Sequence, residues 1–121
     1  MHALVVDDSR SMRLIIAKVL KELGFTVAEA GDGREALGRL NAGEQADLML
    51  IDWNMPVVNG LELVRAVRAN PLLSRIRIMM VTTETSMSQM HLALEAGANE
   101  YLMKPFTKDV LLGKLAMLGI G

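Results

Sequence analysis

The stretch Leu48-Met49-Leu50-Ile51-Asp52 decides the fold class, because it joins a continuous apolar run to a carboxylate at its end. Four consecutive apolar residues without polar alternation are typical of a strand that is buried on both faces. Such strands occur in parallel sheets that helices cover on both sides. The stretch therefore predicts a central strand of a parallel sheet, with Asp52 at its carboxyl end.

Four further short apolar runs predict buried strands at residues 3–6, 26–30, 76–81 and 101–103. The segments between the runs have helical periodicity, and the alternation of strand and helix predicts an α/β fold with a parallel sheet of five strands and helices on both faces. The periodicity is clearest in the first helix, where the apolar residues follow i, i+3, i+4, i+7 spacing. These residues are Met12, Ile15, Ile16, Val19, Leu20 and Leu23.

Polar residues indicate where the later helices begin. The second helix is predicted to start at Asp32 and the third at Asn59, because each is a good N-cap with a glutamate three residues further on. The fourth helix is predicted to run from about Ser86 to residue 97. The fifth is predicted to follow Thr107 and to end at about residue 117.

Length and composition indicate one globular domain over residues 1–121, with 51% hydrophobic and 22% charged residues. The net charge of −1 argues against direct binding to nucleic acid or to an anionic membrane. The chain has no cysteine, which excludes disulfides and thiolate metal sites. No apolar stretch approaches the roughly 20 residues that span a bilayer, and the amino terminus lacks signal-peptide features, so we expect a cytoplasmic protein.

Chemically useful side chains follow four of the five predicted strands. Asp7 and Asp8 follow the first, Asp52 the third, Thr82 the fourth and Lys104 the fifth. In open parallel sheets, ligands bind beyond the carboxyl ends of the strands. The sequence therefore predicts a polar site in which these side chains meet.

Three clustered carboxylates repel one another unless a cation compensates their charge, and Mg²⁺ prefers such oxygen ligands together with a phosphate. An ammonium from Lys104 and a hydroxyl from Thr82 are suited to stabilise a phosphoryl group during its transfer. A carboxylate can itself be the nucleophile and form an aspartyl-phosphate. Asp52 is the best candidate, because its strand is expected at the centre of the sheet.

These residues give the sequence a resemblance to response-regulator receiver domains, and among them to the single-domain members that serve chemotaxis. The resemblance covers essentially the whole chain. It implies a flavodoxin-like fold with strand order 2-1-3-4-5, an order that the residues alone do not give. The motifs that carry it are Val5-Val6-Asp7-Asp8-Ser9, Asp52-Trp53-Asn54-Met55-Pro56, Gly60-Leu61-Glu62-Leu63, Val81-Thr82, Ala96-Gly97-Ala98 and Lys104-Pro105-Phe106.

The resemblance implies that Asp52 accepts a phosphoryl group from a histidine kinase in a Mg²⁺-dependent reaction. Asp8, Asp52 and the main-chain carbonyl of Asn54 would hold the Mg²⁺, and Asp7 would act mainly through a water. Lys104 would contact the phosphoryl group, and its peptide bond to the following proline would be cis. The family usually has an aspartate where this chain has Asn59, which caps a helix equally well.

A switching surface is also implied, formed by the fourth helix, fifth strand and fifth helix. Thr82 would move toward the phosphate and Tyr101 would turn inward. Met87 and Met90 on the fourth helix are the expected interface pair. This surface would control an output protein, such as a flagellar motor switch protein.

Asn54 and Glu84 occupy the two positions that tune dephosphorylation in the family, in which a phosphatase is a further possible partner. The chain would catalyse only its own phosphoryl transfer and dephosphorylation, and would not be an enzyme for other substrates. Two alternatives stay open. The chain could be a receiver of another two-component pathway or part of a longer regulator, or it could be a Mg²⁺-dependent phosphatase, although such enzymes usually have an acidic aspartate where Asn54 stands.

Overall fold

The computed structural model describes residues 1–55, 57–83 and 87–120. Within them, strands and helices alternate from the amino terminus, as predicted. A short 3-10 helix, Pro71–Leu73, precedes the fourth strand and was not predicted. The elements are β1 (His2–Val6), α1 (Arg10–Glu22), β2 (Thr26–Ala30), α2 (Gly33–Asn41), β3 (Leu48–Asp52), α3 (Gly60–Arg68), β4 (Arg77–Thr82), α4 (Met87–Ala96), β5 (Glu100–Met103) and α5 (Lys108–Met117).

The strands form one parallel sheet in the order β2-β1-β3-β4-β5. The α/β prediction and the strand order implied by the resemblance are therefore confirmed. The central strand is β3, in which Ile51 lies beside Val6 of β1 and Asp52 beside Val81 of β4. Because the strands are parallel, their carboxyl ends meet at one edge of the sheet.

The two faces of β3 lie in two separate hydrophobic clusters. Met49 and Ile51 pack with residues of α2, α3 and α4, whereas Leu48 and Leu50 pack with residues of α1 and α5. All four side chains are at most 1% exposed. Burial of each such side chain contributes roughly 1.5–3 kcal/mol, which explains why this strand has no polar alternation.

The burial of some residues and the limits of some strands differ from prediction. In α1, Ile16 and Leu20 are buried, but Ile15 is 54% exposed and lies outside the core. The strand β2 is largely half-exposed, with only Ala30 buried, because it is an edge strand. The strand β4 includes Thr82 as its last residue, and β3 likewise includes Asp52.

The predicted caps are present at the starts of α2 and α3. Asp32 accepts a hydrogen bond from the Glu35 amide at 2.7 Å, and Asn59 accepts one from the Glu62 amide at 2.9 Å. Of these two glutamates, Glu62 closes a reciprocal capping box and Glu35 does not, since Glu35 accepts instead from the amide of Gly31.

The later helices also agree with prediction where they are described. Thr107 caps α5 and accepts from the amide of Val110. The helix α4 begins at Met87, and the predicted start near Ser86 lies outside the described residues.

Candidate functional site

Asp7 lies directly after β1 and is held by several hydrogen bonds. Its amide donates to the carbonyl of Ala30 in β2 at 3.1 Å, and its Oδ1 accepts from the amide of Ser9 at 2.8 Å. The residue is 2% exposed. Asp8, the next residue, is exposed.

Asp52 ends the central strand and is 6% exposed. The start of α3 packs closely against it, and the amide of Gly60 donates to the carbonyl of Trp53 at 2.9 Å. A Cβ at position 60 would lie 2.8 Å from the Cα of Trp53, so any side chain there would push the helix away from the strand end. Gly60 therefore allows the close packing that holds Asp52 in place.

The ammonium of Lys104 lies between two of the carboxylates. Its Nζ is 3.0 Å from Oδ2 of Asp7 and 3.3 Å from Oδ1 of Asp52. The amide of Lys104 donates to the carbonyl of Thr82 at 2.8 Å, which ties the lysine to the end of β4. The peptide bond between Lys104 and Pro105 is cis, as the resemblance implied.

The electrostatics of Asp52 oppose its ionisation. Burial raises the pKa of its carboxyl group, and the negative charge of Asp7 raises it further, whereas Lys104 acts in the opposite direction and only partly compensates. For Lys104, burial alone would lower the pKa, but its hydrogen bond to Asp7 and the charges of both carboxylates raise it above the ordinary value. Lys104 is therefore protonated at neutral pH, and ionised Asp52 would gain from additional positive charge.

The carboxylates of Asp7, Asp8 and Asp52 offer oxygen atoms that all lie within 4.8 Å of one another. No other group of three acidic, histidine or cysteine ligands in residues 1–55, 57–83 and 87–120 comes together in this way. Three carboxylates and one ammonium leave a formal charge of −2, which one hard divalent cation would balance. The donor set consists of oxygens, and it fits Mg²⁺.

Three predicted switch residues, Thr82, Met90 and Tyr101, lie in β4, α4 and β5, near the edge of the sheet that β5 forms. Thr82 is buried at the end of β4, and Tyr101 is only 6% exposed in β5. Tyr101 is thus already buried in this structure. Met90 and Tyr101 line a cavity of about 320 Å³, together with Pro105, Phe106, Val110 and other residues from β5 and α5.

The remaining predicted residues are placed less centrally. Met87 is 81% exposed on α4 and does not line this cavity. Asn54 is exposed in the loop after β3, two residues beyond Asp52. Glu84 lies outside the described residues.

Arg13 contacts the site and was not found from the sequence. Its Nη1 donates to the main-chain carbonyl of Asp7 at 2.6 Å. Its Nε donates to Glu29 of β2 at 3.1 Å. No local motif marks this arginine, because its partners are set by the adjacency of β1 and β2.

A sequence profile described as the response regulator receiver domain matches residues 3–116. The chain belongs to this family. The match covers the strands and helices that carry the acidic cluster, Thr82 and Lys104. It confirms the resemblance drawn from the motifs and supports a receiver domain of the CheY type.

Relatives of similar length agree. The chain is 46% identical over 119 residues to the chemotaxis protein CheY1 of Helicobacter pylori, covering 98% of this chain and 96% of that protein. It is 47% identical to the chemotaxis protein CheY of Pseudomonas aeruginosa, covering 95% of this chain and 93% of that protein. The structure of the chemotaxis protein CheY4 of Vibrio cholerae superposes with a TM-score of 0.89 at 39% identity, covering 96% of both chains.

The family match supports phosphorylation-dependent two-component signalling as the function, and it lends no support to the phosphatase alternative. Among the described residues, the helices are too short or too polar for any of them to cross a membrane.

Proposed function

We propose that this receiver domain is a chemotaxis switch in which Asp52 accepts a phosphoryl group from a histidine kinase. The observation that carries the proposal is the position of the Lys104 ammonium, within 3.3 Å of Asp52 and 3.0 Å of Asp7. A carboxylate beside a fixed cation and two further carboxylates is suited to accept a phosphoryl group, because the carboxylate can be the nucleophile and the cation can stabilise the phosphoryl oxygens. The names of the relatives favour chemotaxis as the pathway.

In the proposed reaction, a carboxylate oxygen of Asp52 attacks the phosphorus of a phosphohistidine on the kinase. A P–O bond to Asp52 forms, the P–N bond breaks, and the imidazole nitrogen leaves with its electron pair. Lys104 remains protonated and stabilises the negative charge on the phosphoryl oxygens.

Asp7, Asp8 and Asp52 would hold Mg²⁺, with the carbonyl of Asn54 as a further ligand. Bound Mg²⁺ supplies charge neutralisation for the transferring phosphoryl group. The protein's own contribution is to keep the three carboxylates close together before the cation arrives, which lowers the cost of assembling the site.

The phosphorylated state would be communicated through Thr82 and the surface around Tyr101 and Met90. A hydroxyl buried at the end of β4 can donate to a phosphoryl oxygen on the neighbouring strand, and its movement would change the packing around Tyr101, which is already buried. The cavity lined by Met90, Tyr101 and Phe106 would then change shape. We propose this surface, with exposed Met87 beside it, as the site for the output protein.

Further parts of the proposal concern partners and lifetime. The kinase is the phosphoryl donor, a flagellar motor switch protein is the proposed output partner, and a phosphatase could end the signal. Asn54 and Glu84 are proposed to tune the rate of dephosphorylation. Residues 1–121 are proposed to act as one domain that catalyses only reactions of its own phosphoryl group, in the cytoplasm.

The direct test is labelling with radioactive acetyl phosphate and Mg²⁺. Wild-type protein should incorporate one phosphoryl group, and Asp52→Asn should incorporate none. Asp109→Asn is a matched control, because Asp109 is an exposed carboxylate in the first turn of α5. Equal labelling of Asp52→Asn and wild type would overturn the assignment.

A further inference from the structure

The side chain of Arg13 bridges α1, the loop after β1 and the edge strand β2. The guanidinium donates through Nη1 to the main-chain carbonyl of Asp7 at 2.6 Å and through Nε to the carboxylate of Glu29 at 3.1 Å. The arginine side chain is 17% exposed and the Glu29 side chain 33%. Two donors of one planar group are thus used on two partners, which a lysine cannot reproduce.

The contacted carbonyl belongs to the peptide that joins Asp7 to Asp8, the two acidic residues of this loop. The other polar groups of Asp7 are already held, by Ala30, Ser9 and Lys104. The hydrogen bond from Arg13 holds the remaining polar group of Asp7, its main-chain carbonyl. This bond constrains the plane of the peptide between Asp7 and Asp8. That plane determines where the Cα of Asp8 lies.

Asp8 depends on this backbone constraint more than the other two carboxylates do. Asp7 and Asp52 are buried and each accepts a hydrogen bond from Lys104. Asp8 is exposed, and among the described residues its side chain makes no hydrogen bond or ion pair. The placement of its carboxylate therefore depends on the backbone, which sets the position and direction of the Cα–Cβ bond.

We propose that Arg13, held by Glu29, is a positioning residue that preorganises the Asp8 carboxylate for Mg²⁺. This inference rests on the proposed Mg²⁺ site. Groups that orient a metal ligand without touching the metal commonly change metal affinity by roughly tenfold or more when they are removed. Glu29 has a second role, because its negative charge offsets a guanidinium that would otherwise repel the cation.

The sign of the effect separates positioning from simple charge. A positive charge close to a cation site disfavours cation binding, so by charge alone the removal of Arg13 would strengthen Mg²⁺ binding. If Arg13 acts by positioning, its removal weakens binding although it removes a repulsive charge. The substitution Arg13→Lys keeps the charge and loses the two-pronged geometry, so by positioning it also weakens binding.

The test is a Mg²⁺ titration of the full chain, followed by the fluorescence of Trp53, the only tryptophan and the neighbour of Asp52. The Mg²⁺ dissociation constant should rise roughly tenfold in Arg13→Gln and several-fold in Arg13→Lys. Arg10→Gln is the matched control, because Arg10 is an exposed cation at the start of the same helix. It should bind Mg²⁺ as tightly as wild type or more tightly.

The rate of labelling by acetyl phosphate at saturating Mg²⁺ should stay within about twofold of wild type in both Arg13 variants. The reason is that positioning of Asp8 before Mg²⁺ binds changes the affinity for Mg²⁺, and saturation with Mg²⁺ removes that difference. In metal-free protein, the Ser9 amide, which donates to Oδ1 of Asp7, should exchange its hydrogen faster in Arg13→Gln than in Arg10→Gln, and this readout needs no metal. Unchanged or tighter Mg²⁺ binding in Arg13→Gln would overturn the inference, as would unaltered exchange of the Ser9 amide. If wild type itself bound no Mg²⁺, the proposed metal site would be at fault instead.

Discussion

At the scale of single residues, Asp52 combines its proposed role as the phosphoryl acceptor with an unfavourable environment. It is nearly buried, it faces the negative charge of Asp7, and Lys104 compensates only in part, so that the pKa of Asp52 is raised. Groups selected for chemistry commonly lower the stability of the fold in this way. Asp52 is therefore expected to destabilise the metal-free protein at neutral pH.

Replacement of this carboxylate by its uncharged isostere should stabilise the metal-free fold. We expect Asp52→Asn to increase the free energy of unfolding in EDTA by on the order of 1 kcal/mol, the usual size of a single-site effect. Lys104 keeps its ion pair with Asp7 in this variant. Urea unfolding measures the difference, and a less stable Asp52→Asn would contradict the expectation.

The same raised pKa predicts how the difference depends on pH. Because the folded-state pKa of Asp52 lies above its unfolded value, Asp52 takes up its proton at a higher pH in the folded protein than in the unfolded chain. The loss of folding free energy caused by the ionised carboxylate is therefore largest above the folded-state pKa. It disappears as the pH falls from the folded-state pKa to the unfolded one. The stability advantage of Asp52→Asn should accordingly shrink on acidification, and urea unfolding at a series of pH values measures this. An advantage that grew at low pH would exclude this explanation.

Val57 is a second residue whose conformation is unfavourable. Its φ is +68°, in the left-handed region that a β-branched side chain rarely adopts, and the side chain is 73% exposed. Asparagine adopts this region readily, so Val57→Asn should raise the free energy of unfolding by about 1 kcal/mol. Thermal unfolding tests this, with Leu72→Asn as a control at another exposed apolar position, 91% exposed in a short 3-10 helix. Equal changes in both variants would show that strain at Val57 is not the cause.

At the scale of elements, the start of α3 matters most, because this helix packs against the end of the strand that carries Asp52. Asn59 and Glu62 form a reciprocal capping box, with hydrogen bonds of 2.9 Å and 3.1 Å. The box satisfies amides that the first turn of a helix leaves without partners. It also sets the angle at which Gly60 approaches the strand.

Loss of this cap should therefore be measurable. Asn59→Ala should lower the free energy of unfolding by about 1 kcal/mol, whereas Asn59→Asp should leave it nearly unchanged. Chemical denaturation of the three proteins distinguishes these outcomes. A loss of stability in Asn59→Asp as large as that in Asn59→Ala would show that the side-chain cap is not what stabilises this turn.

At the scale of the whole molecule, Arg68 joins several elements at the amino-terminal ends of the strands, whereas the acidic cluster lies at their carboxyl ends. Its guanidinium donates to the carbonyl of Gly97 at 2.9 Å, to the carbonyl of Ile76 at 2.7 Å and to the side chain of Asn99 at 2.8 Å. It thereby connects the end of α3 to the residues before β4 and before β5. These are segments that no local interaction brings together.

Removal of this connection should destabilise the fold without altering the chemistry at the carboxyl ends of the strands. Arg68→Leu leaves several partly buried acceptors without a donor, so we expect a loss of about 3 kcal/mol in the free energy of unfolding. Arg65→Leu, an exposed position on the same helix, should change it little. Labelling of folded Arg68→Leu by acetyl phosphate should match wild type, and a large loss of labelling in folded protein would show coupling between the two ends of the strands.

Much of the fold and part of the site follow from the sequence, because they depend on local rules. Continuous apolar runs indicate buried strands, helical periodicity indicates the helices between them, and short polar side chains such as Asp32, Asn59 and Thr107 mark helix starts. The polar residues at the strand ends could be assigned to one edge of the sheet, since parallel strands present their carboxyl ends together. The acidic cluster, Lys104 and Thr82 were predicted on this basis.

Other features are decided only by the tertiary structure. Ile15 fits the helical pattern but is exposed, because the packing of α1 on the sheet covers a narrower face than the pattern suggests. The half-burial of β2 follows from its place at the edge, which depends on strand order.

The same holds at the site itself. Lys104 lies 97 residues from Asp7 and 52 from Asp52 in sequence, and their distances depend on how three strands are arranged. The contact of Arg13 with Asp7 and Glu29 likewise requires β1 and β2 to be neighbours. The sequence by itself determined which side chains lie at the carboxyl ends of the strands, because that depends on local patterns. Only the tertiary structure decided which of them touch, because contacts between distant segments depend on strand order and packing.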